Sequence, residues 1–156
     1  MNGQVELIKV DLQKKEKYKD FLLMADESEE VVNQYISRGE MFSLQFEKKI
    51  VGVILFMEES PEIIELKNIA ILPSYRGKGF GKEAIKSACL FYRKKSYRKM
   101  LVGTANSSID NIAFYQKCGF RIVGIRKDFF ISYPEPIFEN GIQAIDMLMF
   151  EKKLFI

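Results

Sequence analysis

The chain has 156 residues, 47% of them hydrophobic and 29% charged, with a formal net charge of only +3. That length and balance predict one globular domain over 1–156 with a real core, and exclude a disordered or collagen-like chain. Histidine is absent, which removes Ser-His-Asp and Cys-His catalysis and every histidine-ligated metal site.

Val5 to Val10 reads as a first strand, and Lys14 to Met24 as a short helix with Tyr18, Phe21 and Leu22 at helical spacing. Acids at Asp26, Glu27, Glu29 and Glu30 precede a second helix, Val31 to Ser37, where the helix dipole favours them. They also form an acidic rim that would attract a cation. Met41 to Phe46 alternates as a half-buried strand, Glu47 to Lys49 turns, and Ile50 to Met57 returns as its hairpin partner. Pro61 breaks the pattern, and Ile63 to Leu72 begins the central strand. After a glycine-rich loop, Ile85, Ala88, Cys89 and Tyr92 form the core stripe of a helix, with Lys82, Lys86 and Arg93 on another face. Met100 to Gly103 is a short strand. Ser107-x-x-Asp110 fits a capping box for a helix over Ile109 to Lys117, closed by Gly119. Phe120 to Gly124 starts a strand, residues 128–136 form an aromatic loop, Asn140-Gly141 turns, and Ile142 to Leu154 supplies the last strand. Strands around two helical crossovers imply an α/β fold of the α+β type: a mixed sheet covered by helices.

The glycine loop, Arg76-Gly77-Lys78-Gly79-Phe80-Gly81, joins that central strand to the helix. Strand, glycine loop, helix is an arrangement that makes a helix N-terminus an anion site. The spacing fails the dinucleotide pattern G-x-G-x-x-G. It also fails the P-loop, being one residue short with Glu83 where a hydroxyl is needed. Charge is uneven along the chain. Residues 1–65 carry 8 Lys and Arg against 14 Asp and Glu, a net of −6; residues 66–109 carry 10 against Glu83 alone, a net of +9. The basic segment holds the loop, so a polyanion would be drawn there. Cys89 and Cys118 lack metal-ligand spacing and show no disulfide framework, so no metal is expected. No apolar signal region opens the sequence and no run approaches a membrane span, so a cytoplasmic location without membrane partners is expected.

Arg76, Gly79 and Gly81 meet the pattern [QR]-x-x-G-x-[GA], and Tyr115-x-x-x-Gly119-Phe120 ends a helix downstream. Both resemble the acetyl-CoA motifs of the GCN5-related N-acetyltransferase (GNAT) family, and the element order is similar over most of the chain. The resemblance implies a mostly antiparallel central sheet flanked by helices, with splayed fourth and fifth strands between which the pantetheine arm pairs. It implies that Ile69, Ala70 and Ile71 line the pantetheine slot. It gives the pyrophosphate to Arg76, Gly77, Lys78, Gly79, Phe80, Gly81 and Lys82. It aims Tyr115 at the coenzyme sulfur and gives Glu65 the position of a general base in some members. Ser108 and Asn111 stand where the commoner second motif has asparagine and alanine, so Asn106 and Asn111 are both carried as coenzyme contacts.

The implied activity is transfer of an acetyl group from acetyl-CoA to a primary amine, in a small molecule or a peptide, by direct attack in a ternary complex. The acidic N-terminal third favours a cationic acceptor. A homodimer is compatible with this reading. A lysine-like amine, of pKa about 10.4, must lose a proton before attack, and a phenol of pKa about 10 can protonate the leaving thiolate. Two other classes remain open at this point: a non-catalytic acyl-CoA-binding module, and a nucleic-acid binder using the basic segment. The second lacks a single-strand binding signature, since Phe91 and Tyr92 sit beside the core stripe, so no nucleic acid is expected as partner.

Overall fold

The computed structural model describes residues 4–155. In chain order they form β1 (Glu6–Lys9), α1 (Lys19–Ala25), α2 (Glu29–Tyr35), β2 (Glu40–Phe46), β3 (Lys49–Ser60), β4 (Ile63–Ile71), α3 (Phe80–Lys94), β5 (Lys99–Ala105), α4 (Ile109–Lys117), β6 (Arg121–Arg126), β7 (Phe138–Glu139), β8 (Ile142–Gln143) and β9 (Met147–Lys153). Seven strands make one sheet in the order β1-β2-β3-β4-β5-β9-β6. Every neighbouring pair is antiparallel except β4 and β5, which the α3 crossover makes parallel. The β2–β3 hairpin turns on Glu47 and Lys48, both in the left-handed region, which suits a two-residue loop to the strand twist. The Asn140-Gly141 turn does the same for a small separate hairpin, β7–β8.

Each face of the sheet has its own core. On one face Ile54, Phe56, Ile64, Leu66, Val102 and Phe150 meet the helix stripe Phe80, Ala84, Ile85, Ala88 and Tyr92 of α3 and Tyr115 of α4. Cys89 is half-buried at the margin of that stripe. On the other face Val53, Leu55 and Ala70 meet Leu22 of α1 and Val32 and Tyr35 of α2. A small irregularity sets which β4 residues go to which face. Leu55 pairs with Asn68 and Phe56 with Leu66, leaving Lys67 as an extra residue in a β-bulge. Glu65, opposite Met57, and Asn68, opposite Leu55, therefore share the α1/α2 face although they are three residues apart.

Three local expectations are corrected. The helix expected over Lys14 to Met24 is a 3-10 turn over Leu12–Tyr18 followed by α1. Lys15 and Tyr18, three apart, are both buried, which suits three residues per turn. Lys15 is inward because its ammonium donates to the carbonyls of Gly39 and Ser37 just beyond α2. The capping box is not made: Ser108 is the N-cap residue without a side-chain cap, and Ser107 Oγ goes to Glu139 instead. The last strand is not continuous from Ile142 to Leu154. Asn106 Oδ1 accepts the backbone N–H groups of Ile145 and Asp146 at 2.8 and 3.1 Å, which takes them out of any ladder and separates β8 from β9.

Candidate active site

The site begins where two parallel strands part. β4 pairs with β5 only from Ile63–Lys99 to Leu66–Val102. Beyond that, β4 runs on to Ile71 paired with β3 alone, and β5 runs on to Ala105 paired with β9 alone. The inner edges of residues 67–71 and 103–105 thus face a gap without a ladder between them. Such an edge is a template for one more extended segment. Ile69, Ala70 and Ile71, expected to line the pantetheine slot, lie on this free edge.

The glycine loop closes one end of β4. Arg76 Nε donates to the Ile71 carbonyl at 2.8 Å, so the arginine secures the end of the strand. Gly77 and Gly79 have φ of +75° and +84°, and a Cβ at either would meet nothing within 4 Å. They are required by the backbone turn and leave open space beside it. Gly79 is the N-cap of α3 and no side chain caps the helix, so its first N–H groups are available to an anion. Gly81 has a different task. A Cβ there would stand 3.1 Å from Phe114 Cζ, so this glycine lets α4 approach α3. Lys78 and Lys82 are exposed at the same end, while Phe80 is buried under the loop. The one acid of the basic segment, Glu83, is occupied: its Oε1 accepts the Val5 backbone N–H at 2.8 Å. The loop fits a pyrophosphate through backbone donors and flanking cations.

Glu65 and Tyr115 lie on opposite faces of the sheet. Glu65 is one residue before the last β4–β5 pair. Burial pushes its carboxyl above the ordinary range, with Lys67 and Arg126 drawing it back down and Glu59 adding to the rise. Tyr115 is 6% exposed and packs against Phe114, Phe120 and Phe150. Burial raises its phenol far above the usual value, so the hydroxyl holds its proton.

The segment 106–111 serves the late hairpin more than the gap. Asn106 also donates from Nδ2 to the Gln143 carbonyl at 3.1 Å, which leaves one of its four hydrogen-bonding positions free. Ser108 Oγ donates to Glu139 at 2.7 Å, and Asn140 Nδ2 to the Ser107 carbonyl at 2.9 Å. Asn111 is exposed on α4. These bonds hold the hairpin so that residues 133–137 stand opposite the start of α2. Between them lies a cleft lined by Glu27, Ser28, Glu29, Glu30, Tyr133, Pro134, Glu135, Pro136 and Ile137. The acids at 27–30 were legible as a rim; its second wall, with Glu135, was not.

Sequence reading also missed a buried polar chain on the α1/α2 face. Asn68 Nδ2 donates to the Leu22 carbonyl at 3.0 Å and to Tyr35 Oη at 2.9 Å. Tyr35 Oη in turn donates to Asp26 Oδ2 at 3.2 Å, and Asp26 Oδ1 accepts the Ser28 N–H, also at 3.2 Å. Burial raises the Asp26 carboxyl, while the Ser28 N–H, Tyr35, Lys67 and Tyr133 draw it down. The only signal was one uncharged polar residue, Asn68, in an apolar stretch of β4.

This architecture matches a known family. The GNAT acetyltransferase family profile covers residues 10–120 of the chain. The uncharacterized N-acetyltransferase YvbK of Bacillus subtilis is 40% identical over 149 residues, 95% of this chain and 96% of its own. The crystal structure of a GNAT family acetyltransferase from Elizabethkingia anophelis with acetyl-CoA bound superposes with a TM-score of 0.89, at 36% identity over 96% of this chain and 98% of that one. An IAA acetyltransferase from Bacillus cereus gives 0.87 at 35% identity, over 96% and 99%. The chain belongs to the GNAT acetyltransferase family. It is therefore an acyltransferase. Among the described residues no helix is long and apolar enough to cross a membrane.

Proposed function

We propose that this protein transfers the acetyl group of acetyl-CoA to a primary amine by direct attack, with the thioester lying in the gap between β4 and β5. The observation that carries the reading is the gap itself. It is open on its inner edges and leads to an uncapped helix N-terminus, with Glu65 on one face of the sheet beside it and Tyr115 in the core of the other face. The acetyl-CoA bound in the Elizabethkingia anophelis relative supports the choice of donor.

The pyrophosphate lies against Arg76, Gly77, Lys78, Gly79, Phe80, Gly81 and Lys82, and the pantetheine arm lies along Ile69, Ala70 and Ile71. Asn111, and the remaining N–H of Asn106, are carried as further contacts to the coenzyme. The unprotonated amine attacks the thioester carbon. The new C–N bond forms as the C–S bond breaks; the amine proton passes, through water, to Glu65, and the thiolate takes the Tyr115 proton. A raised pKa suits Glu65 to accept a proton near neutrality. It also keeps Tyr115 protonated until a thiolate develops beside it. The buried thiolate is itself destabilised by desolvation, which restores the driving force for transfer.

The acceptor is a cationic amine, small or peptidic, that enters past the acidic cleft of Glu27, Glu29, Glu30 and Glu135. We read residues 1–156 as a single acetyltransferase domain acting in the cytoplasm without a metal, and a homodimer fits that reading. The test is a screen of acceptors, with IAA and neutral amines beside diamines and peptides, read by thiol release from acetyl-CoA. Best turnover of a diamine or basic peptide, weakening with salt, is the expected result. A neutral or anionic best acceptor without salt dependence overturns the charge assignment.

A further inference from the structure

Among the described residues one buried side-chain polar atom lacks a hydrogen-bond partner: Oδ1 of Asn68. Asn68 is 5% exposed. Its orientation is set, because the Leu22 carbonyl can only accept and therefore requires the Nδ2 side of the amide. Native proteins pair nearly all such buried oxygens, so an orphan at a functional site marks a missing donor. Asn68 lies in the stretch of β4 that has lost its β5 neighbour, two residues past the last pair.

The bonds behind this amide all run one way. Asn68 donates to Tyr35, and Tyr35 donates to the Asp26 carboxylate. Each donor points toward the negative charge, so the chain polarises cooperatively and leaves Oδ1 a stronger acceptor than a lone amide. The Ser28 N–H fixes Asp26 at the far end, and Lys67 lies over the Tyr35 ring at 5.5 Å.

We propose that Asn68 receives the acceptor nitrogen, its Oδ1 accepting one N–H of the amine at the edge of the gap, with Tyr35 and Asp26 as positioning residues behind it. The inference rests on the amine-acetyltransferase reading and supplies a contact that reading does not contain. An amine ready to attack has a lone pair aimed at the thioester carbon and N–H groups that need acceptors. A carboxylate can both hold and deprotonate it. An amide oxygen holds it without competing for the proton, which leaves the proton to the water and Glu65. The site therefore selects a nitrogen nucleophile bearing an N–H.

The probe is 1,4-diaminobutane added to the CoA-loaded protein, followed by NMR of the Asn68 side-chain amide. Its resonances are expected to move on titration, and to move less in Asp26→Asn. In steady-state thiol release with the same diamine, Tyr35→Phe and Asp26→Asn are each expected to raise the amine KM about tenfold. That is the weight of one hydrogen bond in a charged chain, at ~1.4 kcal/mol per decade. The KM for acetyl-CoA and the amine-independent thioester hydrolysis stay unchanged. Tyr35→Phe keeps the ring, so a melting temperature near wild type separates this effect from unfolding. A silent Asn68 amide, together with unchanged amine KM in both variants, overturns the proposal and assigns Oδ1 to a buried water. Failure of the wild-type protein to bind CoA would strike the acetyltransferase reading itself, and calorimetry reads that separately.

Discussion

The two sides of the gap are built from different materials. On the coenzyme side the working parts are backbone: bare turns at Gly77 and Gly79, the uncapped start of α3, and the free edge of residues 69–71. On the α1/α2 side they are side chains drawn from four segments: Asp26, Tyr35, Glu65 with Asn68, and Tyr133 with Glu135. A backbone site depends on local geometry and tolerates many neighbours. A side-chain site depends on long-range packing, and a single replacement changes what it accepts. Under the proposed reading, the donor is held mainly by backbone geometry and the acceptor is chosen mainly by side chains.

The sharpest way to break the contrast is at Tyr115, a side chain assigned to the chemistry from the coenzyme side. Tyr115→Phe keeps the ring against Phe120 and Phe150 and removes the hydroxyl. A fall in kcat of about 10²–10⁴-fold is expected, with coenzyme affinity and melting temperature near wild type. Full activity, measured where chemistry limits the rate, would return the proton to water.

Next in size is the loop. Gly79→Asp places a charged side chain at φ +84° beside the open space of the turn. A loss of coenzyme affinity of about tenfold or more is expected by calorimetry, from like-charge repulsion worth upward of ~1.4 kcal/mol. Gly81→Ala meets Phe114 instead. It should lower thermal stability with a smaller effect on affinity. If the two glycines behave alike, the division between turn and helix packing is wrong.

Glu65 gives a prediction with opposite signs in activity and stability. Its carboxyl is raised by burial in the folded protein. A raised folded-state value means that its contribution to stability is fully present below the unfolded value, about 4.3, and is lost as pH rises through the folded one. Glu65→Gln should therefore melt higher than wild type at neutral pH, and the difference should close in acid. Amine transfer should fall, and its dependence on pH should lose the limb that the carboxylate supplies. A variant that is less stable at neutral pH would show Glu65 to be a structural ion-pair partner.

The smallest expected effect is at the cleft. Glu135→Gln removes one exposed charge of the late wall. It should raise the KM of a cationic acceptor about two- to threefold at low salt, and hardly at all at high salt, because exposed charges are screened. An effect that is insensitive to salt would indicate a direct contact.

The same division explains what could be seen in the sequence. The central strand, the glycine loop and the α3 stripe are contiguous, and their periodicity and spacing are local, so they were legible residue by residue. The splayed pair was legible only through resemblance, since nothing local in residues 63–71 says where a neighbour will leave. The polar chain could not be read because Asp26, Tyr35 and Asn68 meet only after α1 and α2 fold onto the sheet. Ser107 misled for the same reason. Its spacing to Asp110 is a sound local signal, but Glu139, 32 residues away, offered a competing partner. Lys15 likewise looks like a solvated helix residue until the end of α2 presents its carbonyls.

The extra residue at Lys67 has a consequence of its own. A strand is a two-phase object: odd positions face one way and even positions the other. One inserted residue resets that phase for everything downstream. β4 thus holds two settings in nine residues, one before the bulge and one after. The change of phase falls where β5 departs, so the residue that alters the parity of the side chains also marks the fork. Deleting Lys67 would close the bulge and leave Leu66 followed directly by Asn68, so ordinary alternation would keep both side chains on their present, opposite faces. What the deletion removes is the local kink at the fork, so its effect should fall on the departure of β5 rather than on which residues face α3 and α1.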